Sequence, residues 1–174
     1  MATVTRYLAR VNGKTKQQKG LVNSTGSADS GKLVATDTNG RLSESVMPIG
    51  IGATTITAIT GEDISAGKFI NLFNDAGTLK CRLADNSNNR PANGFTTISY
   101  VADEQVTIYP LDGINSNLSG LTVGSDYWLG TAGGVIATPL DSSDDLNINK
   151  IDQYLGFATS ETELKTMDDS YVVL

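Results

Sequence analysis

Two acidic clusters are the parts of this sequence whose residue types come closest to a site for chemistry. The first, Asp-Ser-Ser-Asp-Asp at 141–145, offers several oxygen ligands close together, as hard cations require. A solvated acidic turn is the simpler interpretation, and we favour it. The second, Asp168-Asp169, is a candidate carboxylate pair. No opposing residue completes an acid–base site, so exposed loop acids are the simpler interpretation there too.

Four further patterns could carry chemistry, and for each we favour a structural interpretation. Cys81 lies in an alternating segment, which is typical of a buried thiol in a strand. The glycine-rich stretch 130–134 lacks the helix and lysine of a phosphate-binding loop. Asp-Thr-Asn-Gly at 37–40 has only part of a calcium-loop pattern, which favours a β-turn. Tyr127 and Trp128 could form a ligand platform, but their place in a strand favours core or interface anchors.

Histidine is absent from all 174 residues, which removes the commonest general base and the commonest metal ligand. No nucleophile, base and orienting group can be assembled from the patterns above. We therefore predict that the chain is not an enzyme and that it holds no cofactor and no metal. One cysteine cannot form an internal disulfide, so packing must stabilise the fold.

The composition favours short strands joined by many turns. Only 18% of the residues are charged and 39% are apolar, so Thr, Ser, Asn and Gly must cover much of the surface. The predicted fold class is all-β, an antiparallel β-sandwich or β-barrel of about nine short strands with an extended N-terminal arm. A weak capping-box pattern at Ser160 and Glu163 is the one helix candidate.

Alternation of apolar and polar residues locates the predicted strands of the body. Asp103-Glu104 and Gly133-Gly134 are expected to join two pairs of neighbouring strands as hairpins. The predicted body strands are 54–60, 68–74, 78–84, 95–101, 105–110, 126–130, 134–139, 153–160 and 170–174.

Charge and composition divide the chain into two domains. Residues 1–52 are predicted to be an extended basic arm and β-turn junction, and residues 53–174 the β-body. Apolar residues in the arm are too sparse for an independent core. In the arm, residues 4–11 can form one strand, the Asn12-Gly13 pair predicts a hairpin turn, and 32–36 predicts a strand. A flexible joint is predicted at 25–31.

The arm is the predicted partner-binding site. Residues 1–28 contain five cations and no acid, whereas eight acids and two lysines lie between residue 141 and the end. A basic arm suits an acidic protein surface. Nucleic acid is the alternative partner, but too few aromatic residues interleave the cations to provide stacking platforms. The candidate partner-binding residues are Arg6, Tyr7, Arg10, Lys14, Lys16 and Lys19.

Three separated stretches resemble one protein family. The first is SGKLVATDTNGRLSESVMPIGIG at 30–52, and the second runs from ISAGKFINLF at 64–73 through CRLAD at 81–85 to ANGF at 92–95. The third is LSGLTVGSDYWLGTAGGVIATP at 118–139, followed by QYLGFATSETEL at 153–164. Together they resemble the capsid cement, or head decoration, proteins of tailed bacteriophages.

The resemblance implies a structural virion protein that binds the outer surface of an assembled capsid and stabilises it. Its partner would be the major capsid protein, and it would form a homo-oligomer, with a trimer favoured and a dimer possible. The arm, about residues 1–30, would order on neighbouring capsid subunits. The sequence contains neither a signal-peptide pattern nor a membrane-spanning run, so we expect synthesis in the host bacterial cytoplasm and no membrane partner.

Two other functions compete with the cement role. One is a receptor-binding adhesion module of a head fibre or tail fibre, which exposed loop aromatics and a repetitive stalk would favour. The sequence has no such stalk. The other is a glycan hydrolase on a spike, which needs a carboxylate pair in a cleft and does not need histidine.

Overall fold

A computed structural model describes residues 6–38, 40–47 and 54–174. The chain forms two compact units, Met1–Gly52 and Ala53–Leu174. The all-β fold class is confirmed, because strands dominate the described residues and helical structure there is limited to three short 3₁₀ turns. Thirteen strands are described rather than about nine, and the additional ones are mainly the arm strands and strands of two or three residues.

The strands are numbered in chain order. Unit 1 contains β1 (Arg6–Val11) and β2 (Lys14–Lys19). The first part of unit 2 contains β3 (Ile56–Thr60), β4 (Phe69–Asp75), β5 (Thr78–Leu83), β6 (Gly94–Phe95) and β7 (Gln105–Ile108). The second part contains β8 (Ile114–Asn115), β9 (Asp126–Leu129), β10 (Val135–Ile136), β11 (Ile151–Ala158), β12 (Leu164–Thr166) and β13 (Tyr171–Val173). The 3₁₀ turns are Ser27–Asp29, Glu44–Val46 and Asp145–Asn147.

The first sheet of unit 2 is a nearly closed barrel. Its order is β6-β4-β5-β3-β7, with β3 and β5 parallel and the other pairs antiparallel. A bridge between Phe95 and Tyr109 brings its two edges together. Glycine is required at position 94, because a Cβ there would lie 2.5 Å from the Tyr109 carbonyl oxygen. The small inner core is Ala58, Ile64, Ile70, Cys81, Val106 and Ile108.

The second sheet packs against one side of this barrel. Its order is β10-β9-β11-β12-β8, and β13 pairs with the first half of β11. Strand β11 is central, since its inward residues Ile151 and Leu155 are fully buried. The main core combines residues of both sheets: Phe69, Ala84, Ala92, Phe95, Leu111, Leu121, Tyr127, Leu129, Ile151, Leu155, Ala158 and Leu164.

Buried amide side chains hold the two sheets in register. Gln153 on β11 accepts from the Ala92 N–H at 2.7 Å and donates to the Ala92 carbonyl at 3.0 Å. Asn86 donates to the Leu129 carbonyl, and Asn115 to the Gly67 carbonyl, each at 2.8 Å. Within the described residues every buried side-chain polar atom has a partner, which avoids the cost of an unpaired buried group.

Two predicted strands are wrong. Between 95 and 101 only Phe95 continues a strand, because the Thr96 carbonyl accepts from Gly67 and the Thr96 N–H donates to Lys68, which turns the chain away. Residues 105–108 therefore pair with β3, and Tyr109 pairs with Phe95 alone of that run. At 32–36 there is no strand but a single parallel bridge between Val34 and Leu21.

The predicted helix at Ser160–Lys165 is also wrong. The Ser160 hydroxyl accepts from the Thr162 N–H at 3.2 Å, and the Ser160 N–H donates to the Glu163 carbonyl. These local bonds compete with helix formation, and no apolar stripe follows to favour a helix. Strand β12 begins at Leu164 instead.

Gly156 provides the first test of this architecture. It lies at a bulge of β11 with φ +139°, and a Cβ there would lie 2.0 Å from the Lys165 carbonyl oxygen. We expect Gly156→Ala to lower the free energy of unfolding by about 3 kcal/mol or more. Gly77→Ala, at φ +89° in open space, should cost only about 1 kcal/mol.

Urea unfolding of both variants measures the difference. Equal losses of stability for Gly156→Ala and Gly77→Ala would show that β11 and β12 do not approach each other this closely at the bulge.

Candidate partner-binding site

The basic arm of unit 1 is organised by a two-residue β-hairpin. Strands β1 and β2 pair antiparallel in a continuous register from Arg6↔Lys19 to Val11↔Lys14. Asn12 and Gly13 have φ of 51° and 76°, the two left-handed residues of a type I′ turn. The hairpin predicted from Asn12-Gly13 is therefore confirmed, while the part of the predicted strand before Arg6 lies outside the described residues.

The pairing register divides the hairpin into two faces. Side chains directly opposite each other in a ladder point to the same side. The outer face is fully exposed and contains Arg6, Leu8, Arg10, Thr15, Gln17 and Lys19. The other face contains Tyr7, Ala9, Val11, Lys14, Lys16 and Gln18. Three of the predicted cations thus share the outer face with Leu8, which is 73% exposed.

Tyr7 is the one predicted site residue that the fold uses internally. It is half-buried, and its hydroxyl accepts from the Leu33 N–H at 3.4 Å. This contact fixes the inner face of the hairpin against the segment that follows. Tyr7 therefore has a structural contact within unit 1, and its partner-binding role stays a prediction.

No carboxylate in the described part of the chain forms an ion pair with the hairpin. Ion pairs within the described residues are limited to Lys32–Asp29 and Lys80–Asp75. Among the described residues, Arg6 donates to the Gln17 side chain at 3.4 Å. The hairpin therefore presents five cations whose charge is free to attract an acidic surface.

A second feature of unit 1 was missed in the sequence, namely the loop built on Asp29. This carboxylate accepts from the Thr25 N–H at 2.6 Å, the Thr25 hydroxyl at 2.9 Å and the Lys32 ammonium at 2.6 Å. These hydrogen bonds, of which the one from Lys32 has the largest effect, lower the pKa of Asp29 from 3.8 to about 2. The predicted joint at 25–31 therefore has a defined local structure. The signal available in the sequence was Thr25, followed by Asp29 four residues later and by Lys32 three residues after that.

The acidic loop at 141–145 uses its carboxylates for its own backbone. Asp141 accepts from the N–H and hydroxyl of Ser143, bonds that lower the pKa of Asp141. Asp144 caps the next 3₁₀ turn by accepting from the Leu146 N–H at 3.0 Å. In the part of the chain that the structure describes, no three metal-ligating side chains cluster.

The remaining candidates for chemistry have structural contacts. Cys81 is fully buried, and burial raises the pKa of its thiol to about 11, which disfavours the reactive thiolate. Tyr127 is buried, and its hydroxyl accepts from the Thr122 N–H. Trp128 lies on the outer side of the sheet, where its ring centroid is 5.6 Å from that of Tyr154. These rings meet edge to face, at 66°, so they do not form a flat platform.

Asp168 and Asp169 border a cleft of about 340 Å³ with Gln153 and Tyr171. The polar groups of Gln153 are already bonded to Ala92, and Asp169 accepts from the N–H of Ser170. No second carboxylate from another element lines the cleft. The glycine-rich stretch 130–134 forms the turn between β9 and β10. Neither the cleft nor the glycine-rich turn brings a set of reactive side chains together.

One property of the helical elements bears on membranes. None of those in the described residues has the length and apolar character needed to cross a bilayer.

Comparison with known proteins finds similarity among solved structures. No protein-family description and no curated protein matches the sequence. Among solved structures, the N base of the head fibre protein gp8.5 of bacteriophage phi29 is similar, with 17% sequence identity and a TM-score of 0.45. The similarity covers 67% of this chain and 89% of that chain.

The Asp29 loop makes a testable pH prediction. The folded-state pKa lies below the ordinary 3.8, so the carboxylate holds the loop fully above about pH 4 and releases it as pH falls through about 2. In an NMR titration the Thr25 amide should therefore shift near pH 2. Asp29→Asn should abolish that titration and speed exchange of the Thr25 amide.

Asp168→Asn is the matched control, because no hydrogen bond to its side chain is described. A Thr25 amide that titrates near pH 4, or that is unaffected by Asp29→Asn, would contradict the loop structure.

Proposed function

We propose that the chain is a structural protein of a tailed-bacteriophage virion that binds the outer surface of the capsid and stabilises the shell. The observation that carries the proposal is the exposed, unneutralised basic hairpin attached to a β-body with no assembled reactive site. The resemblance of the sequence to cement proteins supports the same role. The proposed partner is the major capsid protein, and the proposed location is the outer capsid surface.

The binding energy is proposed to come mainly from the arm. Unit 1 has seven basic and three acidic residues, a net charge of +4, whereas unit 2 has six basic and sixteen acidic residues, a net charge of −10. A basic arm on an acidic body is directed to an acidic protein surface by charge complementarity. The open edges of the hairpin can add main-chain hydrogen bonds to a neighbouring strand.

The outer face of the hairpin has the composition of a contact surface. Arg6, Arg10 and Lys19 provide charge, and Leu8 provides an exposed apolar side chain between the two arginines. Lys14 and Lys16, near the turn on the other face, extend the positive charge around the hairpin. Each contact is weak alone, but many copies on one shell multiply the stabilising effect.

Two matched double variants test the proposal. Arg10→Gln with Lys19→Gln removes two hairpin cations, whereas Lys68→Gln with Arg90→Gln removes the same charge from unit 2. Exposed charges contribute roughly 0.2–1 kcal/mol each, so the hairpin variant should bind capsids roughly 2- to 30-fold more weakly. The unit 2 variant should bind as the parent does.

Co-sedimentation with capsids that lack the protein measures this binding. Saturation at a fixed copy number per shell, weakened by salt and by the hairpin variant, is the expected result. No binding to capsids, together with adsorption to host cells, would overturn the cement role and favour an adhesion module. If the two variants weakened capsid binding equally, the proposed role of the hairpin would be wrong, whereas the cement role would still stand.

A further inference from the structure

Strand β13 is a three-residue open sheet edge that carries neither a charged side chain nor a proline. Tyr171, Val172 and Val173 are 45%, 60% and 51% exposed, and none of them is charged. Among the described strands, β13 pairs only with β11. Natural edge strands are commonly kept short or guarded by charges, prolines or bulges, because an open edge is a template for another strand. The other ends of this sheet, β8 and β10, have two residues each.

The backbone of β13 alternates between the closed and the open side. Leu174 donates its N–H to the Lys150 carbonyl at 2.9 Å and accepts from the Asn149 N–H at 2.7 Å. The backbone groups of Leu174 therefore face β11. In an antiparallel ladder the next residue whose N–H and C=O face the same strand is two positions earlier, which is Val172, opposite Asp152. The N–H and C=O groups of Tyr171 and Val173 therefore point away from β11, where no described strand meets them.

We propose that β13 pairs with β13 of a second copy of this chain, antiparallel and about a two-fold axis through Val172. This register places Tyr171 opposite Val173 of the other copy, and Val173 opposite Tyr171 of the other copy. All four outward N–H groups then meet outward carbonyls, because both residues of each pair have their backbone groups on the open side. We favour a second copy as the partner, because its β13 edge has the same spacing of outward N–H and C=O groups.

The side chains and nearby charges also fit this register. The two Val172 side chains meet in a non-hydrogen-bonded pair, where β-branched residues pack well. Asp168 and Asp169 lie before β13 in the chain, whereas Lys150 lies beside its far end. Antiparallel pairing therefore places the acidic end of each copy alongside the Lys150 end of the other. A parallel arrangement would bring the acids of the two copies together.

The resulting contact is small and closed. Two copies use up both open edges, so the pairing stops at a dimer and does not grow into a fibre. Three residues a side bury little area, which predicts a weak dimer with a dissociation constant on the order of 100 µM. Because the full chain has a net charge of −6, two copies repel each other at long range in spite of the local attraction, and salt should strengthen the contact by screening that repulsion. The opposite salt dependence is expected for the arm on a capsid.

Proline substitution tests the hydrogen bonds. Val173→Pro removes an outward N–H and leaves the bonds of Val172 to β11 in place, as prolines in edge strands do. The control is Val123→Pro. Val123 is 62% exposed at the second position of a turn closed by the Ser125 N–H and the Thr122 carbonyl, with Gly124 at φ +80°. Proline suits that position of a type II turn.

Sedimentation velocity of the full chain up to about 1 mM should show a dimer that Val173→Pro weakens at least tenfold and Val123→Pro leaves unchanged. Circular dichroism confirms that both variants are folded. A monomer at every concentration, or a dimer equally strong in Val173→Pro, would overturn the proposal.

A disulfide tests the register. The two Cα atoms of residue 172 should lie about 4.5 Å apart, within the range that a disulfide spans. Val172→Cys should therefore form a covalent dimer under mild oxidation, whereas Val123→Cys should not. The native Cys81 is fully buried and does not compete. Equal crosslinking of both variants would overturn the two-fold pairing. Neither test contains capsids, so a failure here is separate from a failure of the proposed function.

Discussion

Closure of the small barrel at Gly94 and Phe95 is the constraint on which unit 2 depends. The Phe95 N–H and carbonyl exchange hydrogen bonds of 2.9 Å with Tyr109, and this approach is possible only because residue 94 has no side chain. The Phe95 ring then packs edge to face on Phe69 and stacks on Tyr109. Phe69 and Phe95 face the second sheet, so the closed barrel provides the surface against which that sheet packs.

The second sheet depends in turn on β11. Gln153 links this strand to the Ala92 backbone, and the bulge at Gly156 lets β11 follow β9 and β12 at the same time. Its first half is left to pair with β13, which has no further described neighbour. The packing that stabilises the body therefore also leaves β13 as an edge with no described strand beyond it.

Unit 1 follows a different physical principle. Its hairpin is specified by the turn at Asn12-Gly13 and by backbone pairing, and the inner face is fixed by Tyr7. Little apolar surface is buried, so most of its side chains remain available to a partner. The cations form no ion pairs in the described residues, and because salt screens exposed charges, they should attract an acidic surface most strongly at low salt.

Local signals in the sequence predicted part of this structure. Asn12-Gly13 predicted the arm hairpin, and the alternation around Cys81 predicted β5 with a buried thiol, because both signals act within a few residues. The basic arm residues could be grouped in the same way, although only the register shows that Arg6, Arg10 and Lys19 share a face. Their partner-binding role stays a prediction.

Features that depend on distant contacts could not be predicted. The parallel pairing of β3 with β5 has no local signal, since both strands show ordinary alternation. The run after Phe95 has strand-like residues, but hydrogen bonds from Gly67 and to Lys68 decide its path. The open edge of β13 likewise depends on which strands surround β11. Such features follow from topology and not from propensity.

The basic hairpin at 6–19 is the proposed surface of contact with the capsid. Hydrogen exchange measured by mass spectrometry, on the free protein and on the protein bound to capsids, tests it most directly. Binding is expected to slow exchange of the amides at 6–19, with little change in the barrel core. Unchanged exchange at 6–19, with slowed exchange confined to unit 2, would contradict it.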